Sequence, residues 1–407
     1  MRTKDIESLG EVAAEGLTVL NGLVRGMHTG IAGRVFSSIG PAARPVEIVH
    51  DAIAGAVYDA LDVTGARVPP KVAEFAAAGL AFDDDPPLDE RRGVAEAIAA
   101  LNGIYGDELA ERGNELAAPM AIRADGRAVA LTPGAITAAF GEPTDKLAVF
   151  VHGLCQTESS WHRPPRPSTG APPTWYGERL HEDLGYTPIE IRYNTGQHIS
   201  TNGRALDDLL TRLLEIWPVP VSRIALIGHS MGGLVARSAC HYANERNRRW
   251  CRATRQVVCL GSPHMGADLE KTVNAASWLM IRLRETRAIA ELLNLRSDGI
   301  KDLRFGAVLD DDWAEADPDE FLRDRCREVP FLPHAHHHFV ATSAAPTALG
   351  MVVGDHLVRP GSASGRGRTR RLPFADDAGL VLTGLHHFDL LNHPAIYDRL
   401  HQWLSRK

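Results

Sequence analysis

The stretch Ile224-Ala225-Leu226-Ile227-Gly228-His229-Ser230-Met231-Gly232-Gly233-Leu234-Val235-Ala236 decides the reading of this chain. A continuous apolar run reads as a strand buried on both faces, and the residues after Gly233 read as the start of a helix. Between them the chain must turn sharply. Gly228 and Gly232 flank Ser230 at two residues on either side, where a side chain would collide with neighbouring backbone. Ser230 is thereby held out at the tip. A surface turn with a capping serine is the plainer alternative, and the motifs around the stretch decide between the two.

Gly-x-Ser-x-Gly between a strand and a helix resembles the nucleophile elbow of the α/β-hydrolase family. Upstream, Leu147-Ala148-Val149-Phe150-Val151 is a second buried strand, ending in His152-Gly153-Leu154. In the lipase branch of the family a His-Gly pair here shapes the oxyanion hole. The resemblance implies that the backbone N–H groups of Leu154 and Met231 are its two donors. Acyl transfer passes through a tetrahedral oxyanion, and losing one preorganised donor costs about 3 to 4 kcal/mol of barrier. His152 reads as a strand-end histidine satisfying the loop backbone rather than as a base. Downstream, the strand Gln256-Val257-Val258-Cys259-Leu260 breaks at Gly261-Ser262-Pro263-His264-Met265-Gly266, a turn similar to one in lipases and related esterases, including the group that contains inositol deacylases.

By the same resemblance, the acid of a Ser-His-Asp triad lies in a Gly/Asn-Asp-x-x-Val turn after the seventh strand, matched here by Gly354-Asp355-His356-Leu357-Val358. Asp355 would accept a hydrogen bond from the far ring nitrogen of the histidine and stabilise the imidazolium. Asp376 and Asp377 are the alternatives and look more like turn residues before the last strand. His387 is preferred over His386 as the base, because a His-x-Asp pattern in bacterial lipases sets Asp389 two residues after it. Ser230, Asp355 and His387 stand in the chain order of the α/β-hydrolases. Pro188–Tyr193 supplies a further strand, and Ser200, Thr201 or Asn202 can cap the helix carrying Leu206, Leu209, Leu210, Leu213 and Leu214. Strands alternating with helices imply a mostly parallel sheet with ligands at the carboxyl ends of the strands.

With 407 residues the chain can bury a full core. Residues 1–118 read as a helical N-terminal region, with Val12, Leu17, Leu20, Leu23, Val24, Met27 and Ile31 recurring every three or four positions and Val49, Ile53, Val57 and Leu61 repeating the pattern. Glycines 10, 16, 22, 26 and 30 each cost about 1 kcal/mol against alanine and argue against one long unbroken first helix. The apolar faces are expected to pack on the next domain or on a second subunit; adhesion to a lipid or polymer surface is the sharper alternative, although dense Lys/Arg is missing from the polar face. Near residue 119 the period becomes alternating, and Asp125-Gly126 supplies a hairpin turn. The α/β-hydrolase domain is placed at 119–407. Residues 266–335 leave strand pattern and are expected to form a helical, lid-like insertion over the acyl pocket.

A balance of 44 basic against 51 acidic residues gives a net charge of −7, so nucleic acid is not expected as a partner. Acidic residues near the N-terminus speak against a secretory signal, and no run is long and apolar enough to span a bilayer. Five cysteines without framework spacing read as reduced thiols in a cytoplasm, a Cys240–Cys251 bridge being the alternative. His334, His336, His337 and His338 cluster, yet strand alternation sends neighbours to opposite faces. Some bacterial lipases hold calcium near the histidine loop through carboxylates, one corresponding to Asp389, but the segment before Asp355 offers histidines and no second carboxylate. Neither metal nor cofactor is expected. Arg359, Arg366, Arg368, Arg370 and Arg371 read as a solvated loop, an anionic partner being the alternative. The expected activity is carboxylic-ester hydrolysis of a small-molecule or lipid ester. Acyl transfer, thioester or polyester cleavage shares the triad, and a non-catalytic module binding lipid, a granule or a partner is the reading from another class.

Overall fold

A computed structural model describes residues 3–39, 44, 55, 87–91, 93–166, 173–267, 296–314, 324, 326–343, 355, 357–367 and 370–406. Of the expected features, the second helical pattern around Val49–Leu61, the apolar core of the lid-like insertion at 268–295, and Gly354 and His356 lie outside these residues, as do the side chains of Leu20, Leu23, Val24, Met27 and Ile31.

The described residues form an eight-stranded sheet. Its strands are β1 (Ala121–Ala124), β2 (Arg127–Ala128), β3 (Lys146–Val151), β4 (Thr187–Arg192), β5 (Arg223–His229), β6 (Thr254–Leu260), β7 (His336–Ser343) and β8 (Gly379–Thr383), in the order β2-β1-β4-β3-β5-β6-β7-β8. From β4 to β8 every pairing is parallel, while β1 runs antiparallel to both β2 and β4. Asp125, at φ 50°, and Gly126, at φ 77°, make the tight turn between β1 and β2, as Asp-Gly hairpins require. Each central strand sends alternate residues to opposite faces. Leu147, Val149, Val151, Ile224, Leu226 and Val257 join one buried cluster, and Ala148, Phe150, Ala225, Ile227 and Val258 join the other.

Helices cover both faces. The helices are α1 (Thr3–Ile39), α2 (Val94–Glu111), α3 (Pro133–Phe140), α4 (Tyr176–Leu184), α5 (Ile199–Ile216), α6 (Met231–Glu245), α7 (Arg249–Ala253), α8 (Asp298–Asp302), α9 (Pro360–Ala363) and α10 (Pro394–Leu404). Leu206, Leu210 and Leu213 of α5 pack with Leu234 and Val235 of α6 on one face, and Leu180 of α4 packs with Ile396, Leu400 and Trp403 of α10 on the other. A mostly parallel sheet covered on both faces, with Ser230 between β5 and α6, has the α/β-hydrolase fold.

Two local expectations change, and a third feature is new. First, α1 is continuous over 37 residues despite its glycines. Tertiary anchors hold its first half: Asn114 Nδ2 donates to Glu11 at 2.8 Å, and Arg112 pairs with Glu15 at 2.7 Å. Second, α5 is not capped by Ser200, Thr201 or Asn202, which lie inside its first turn. Instead Asp302 Oδ2, from α8, accepts the Ile199 N–H at 2.8 Å. Third, α3 had no counterpart in the sequence reading, although its signals are ordinary: Thr132 Oγ1 accepts the Ala135 N–H at 3.3 Å and Pro133 fills the first turn.

The described parts of the lid-like insertion hold α8 and a 3₁₀ turn at Asp310–Asp312. All five cysteines are free thiols. The histidines around β7 serve the fold. His337 stacks on Phe331 at 4.1 Å and accepts the Leu332 N–H at 3.0 Å, while His338 stacks on Trp403 at 4.2 Å and bonds Gln256 at 2.8 Å. Of the arginines in the expected loop, Arg370 pairs with Asp324 at 3.1 Å.

Candidate active site

Ser230 sits where β5 passes into α6, at φ 53° and ψ −122°. A non-glycine residue in such a conformation costs of order 1–3 kcal/mol and persists only if its surroundings fix it. Here the Ser230 N–H donates to Leu260 O at 2.8 Å, and Ser230 O accepts the Gly233 N–H at 3.1 Å. The flanking glycines are required by contact. A Cβ on Gly228 would lie 2.5 Å from the Gly232 carbonyl carbon, and one on Gly232 would lie 2.5 Å from His152 O and overlap Val151 O. The turn therefore packs flush against the end of β3.

That end of β3 carries the turn His152–Gln156. His152 is fully buried and stacked on Tyr193 at 4.5 Å, and its Nδ1 lies 2.9 Å from Gly153 O. Burial pushes its pKa down to about 4, against which the bond to Gly153 works. It is a neutral ring holding the turn. Tyr193 Oη donates to His152 O at 2.8 Å, the Gly153 N–H to Gln156 Oε1 at 2.8 Å, and the Cys155 N–H to Thr195 Oγ1 at 3.2 Å. Among the described residues neither the Leu154 N–H nor the Met231 N–H has an acceptor. Met231 is the first residue of α6, so its amide is one of the helix's unpaired donors.

The structure brings Asp355 and His387 together: His387 Nδ1 lies 2.7 Å from Asp355 Oδ2, with both side chains almost wholly buried. The other carboxylate oxygen accepts the Leu357 and Val358 N–H groups at 3.0 and 2.7 Å. These bonds fix the acid's orientation and assign the proton on His387 to Nδ1. His387 Nε2 is buried and makes no hydrogen bond. The ring lies against Gly261, where an added Cβ would be 3.0 Å from Cε1, and 4.8 Å from the ring of His229, the residue before Ser230. Asp376 and Asp377 are exposed turn residues, and Asp377 pairs with Arg406 at 3.5 Å. His386 is exposed; its N–H donates to Asp389 Oδ2 at 2.6 Å, and Asp389 Oδ1 pairs with Arg166 at 2.7 Å.

Beside this constellation opens a cleft of about 670 Å³, lined among others by Glu96, Gln156, Glu158, Arg163, Arg192 and Phe388. Its charges largely satisfy one another. Arg192 Nε meets Glu158 at 2.6 Å, and Glu96 accepts from Gly93 N and Ser159 Oγ at 2.8 and 3.2 Å.

Gln156, Thr195, Tyr193 and His229 were given no part in the site by the sequence. Gln156 Oε1, besides receiving the Gly153 N–H, lies 3.1 Å from His229 Nδ1, so one side-chain oxygen joins the two turns. The only local signal is the position of Gln156 three residues after Gly153, and that fits any loop glutamine.

Residues 189–325 match the family model described as "PGAP1-like alpha/beta domain". Among solved structures the chain is similar to the mature lipase BlEst2 of Bacillus licheniformis, with 18% identity and a TM-score of 0.43 over 65% of this chain and 94% of that one. Phospholipase PlaB of Legionella pneumophila aligns with 15% identity and a TM-score of 0.40, over 64% of this chain and 60% of that one. The lipase of Staphylococcus hyicus aligns with 15% identity and a TM-score of 0.37, over 65% of this chain and 95% of that one.

Proposed function

We propose that the chain is a serine hydrolase of carboxylic esters, acting on a small-molecule or lipid ester through Ser230, His387 and Asp355. The observation that carries this reading is the buried His387–Asp355 pair at 2.7 Å, its free Nε2 on the side of the ring away from the acid, next to a strained serine turn. In the proposed reaction His387 Nε2 takes the proton of Ser230 Oγ as Oγ bonds the carbonyl carbon. The carbonyl oxygen becomes an oxyanion and accepts from the Leu154 and Met231 amides. Collapse breaks the bond to the alcohol, which leaves with the proton from His387. Water, activated by the same ring, then releases the acid from the acyl-enzyme. Asp355, hydrogen-bonded to Nδ1, stabilises the imidazolium formed in each half. The chemistry requires no cofactor.

Hydrolysis of p-nitrophenyl esters from short to long acyl chains, with Ser230→Ala alongside, tests the proposal. Turnover abolished in the variant supports it. Full turnover in Ser230→Ala, or a wild type that neither cleaves any ester nor takes up a fluorophosphonate, refutes it. Among the described residues no helix is long and apolar enough to cross a membrane. The five free thiols fit a reducing compartment and support a cytoplasmic location.

A further inference from the structure

We infer that α2, from the N-terminal helical region, is a positioning element for the oxyanion turn, and that it acts through the contact of Gly103 with Cys155. The inference rests on the proposed role of the Leu154 amide.

Gly103, at the middle of α2, has no room for a side chain. A Cβ there would overlap Cys155 Sγ and lie 3.2 Å from Cys155 Cα and N. Cys155 directly follows Leu154, and it holds a left-handed backbone at φ 58° that a non-glycine residue adopts only under constraint. Two fixtures supply the constraint. Thr195 Oγ1 accepts the Cys155 N–H from one side, and the α2 backbone closes against Sγ from the other.

The helix is itself pinned. Ser297 Oγ donates to Gly103 O at 2.6 Å, and Asn194 Nδ2 donates to Gly106 O at 2.6 Å. Side chains on Gly106 and on Gly196 would drive into Asn194 and into the α2 backbone respectively. Thus the turn that carries Thr195 and the turn that carries Leu154 both rest on one face of α2. Moving α2 by a few tenths of an ångström moves Cys155, and with it the peptide that presents the Leu154 N–H.

An amide that meets an oxyanion only in the transition state lowers the barrier without tightening ground-state binding. Misplacing it should therefore lower kcat and leave KM alone. Outright loss of such a donor costs about 10²- to 10³-fold in kcat, so a partial displacement should cost roughly 10-fold.

The test is a double-variant cycle in the full chain. Gly103→Ala should lower kcat on a p-nitrophenyl ester about 10-fold with KM within about twofold. In a Cys155→Gly background, where the colliding sulfur is gone, the same substitution should cost less than about threefold. Gly134→Ala, on α3 with open space around its Cβ position, is the control for adding a methyl to a helical glycine. Hydrogen exchange of the peptide spanning 152–157, faster in Gly103→Ala and restored in the double variant, reads the same displacement without any turnover. If the wild type hydrolyses no ester, the proposed function fails, and the exchange measurement still decides the brace. Equal loss in both backgrounds, a KM that rises with the fall in kcat, or unchanged exchange at 152–157 overturns the inference. Should Gly103→Ala fail to fold, Ser297→Ala removes an anchor of Gly103 without adding volume. It should raise exchange at 152–157, and unchanged exchange there refutes the brace.

Discussion

Five buried histidines, His152, His229, His264, His337 and His338, should set the acid limit of this protein. Burial is the first cause in each case: it pushes His152 down to about 4, His337 and His338 down to about 3, and His229 and His264 well below their ordinary 6.5. A histidine buried in its neutral form binds a proton less readily folded than unfolded. Its stabilising effect is thus complete above pH 6.5 and is lost as pH falls through 6.5 toward its folded value. Each ring contributes a slope of up to about 1.4 kcal/mol per pH unit, so together they make stability fall steeply with acid. By pH 4.5 each has removed roughly 2–3 kcal/mol, a large part of a typical domain stability of about 5–15. His162 and His198 are shifted upward, because Glu190 and Asp302 outweigh burial, so their pH-dependent window lies above 6.5. The carboxyls of Asp107, Glu190 and Asp302 are raised by burial and oppose the loss in their own range, which makes a difference measurement the clean one. His337→Gln removes one titration while a side-chain carbonyl can still accept the Leu332 N–H. Urea unfolding of wild type and variant at intervals from pH 7 to 4 should give a variant slope shallower by about 1.4 kcal/mol per pH unit, whatever its stability at pH 7. Parallel slopes would refute the argument.

Gly232→Ala places a methyl into the Val151 carbonyl and should abolish esterase turnover and lower the thermal midpoint, since backbone and not a pliable side chain must yield. Asp355→Asn should keep the fold and lower kcat by about 10⁴, as a mis-set histidine tautomer does, while Asp376→Asn and Asp377→Asn leave turnover within twofold or so; a large loss at either exposed residue would reassign the acid. Asp302→Ala strips the α5 terminus of its acceptor and leaves His198 with Asp298 as its remaining carboxylate partner, and should cost about 1–3 kcal/mol in a urea titration.

The elbow was legible because its reasons are local. Gly228 and Gly232 meet backbone within a few residues of themselves or at the adjoining strand end, so spacing alone announces the turn. The strands β3, β5 and β6 were legible because burial on both faces leaves no polar position to blur them. Asp355 and His387 stand 32 residues apart in the chain, and their meeting at 2.7 Å was expected from a resemblance rather than from any periodicity. What escaped the sequence is the long-range part. Nothing near Ile199 announces that Asp302 will accept its N–H, and nothing in the α2 pattern announces that Gly103 must fit under Cys155. Helical periodicity reports which side of α2 is apolar, and the two glycines that dock it leave no apolar mark.

His229 shows how closely the halves of the site are joined. Its Nδ1 faces Gln156 Oε1 at 3.1 Å and its Nε2 faces His387 O at 3.2 Å, so oxygen acceptors stand on both sides of a ring that is fully buried. Burial, and next the charge that His387 can carry, hold its pKa well below the ordinary range, so the ring is neutral and has a single N–H. One of its two links is therefore a true hydrogen bond at any moment. Gln156 Oε1 also accepts the Gly153 N–H at 2.8 Å, and His387 O lies at the start of the 3₁₀ turn His387–Leu391. The residue before Ser230 thus stands between the turn that carries Gln156 and the loop that carries His387, and a substitution at position 229 should loosen that loop while leaving the serine turn formed.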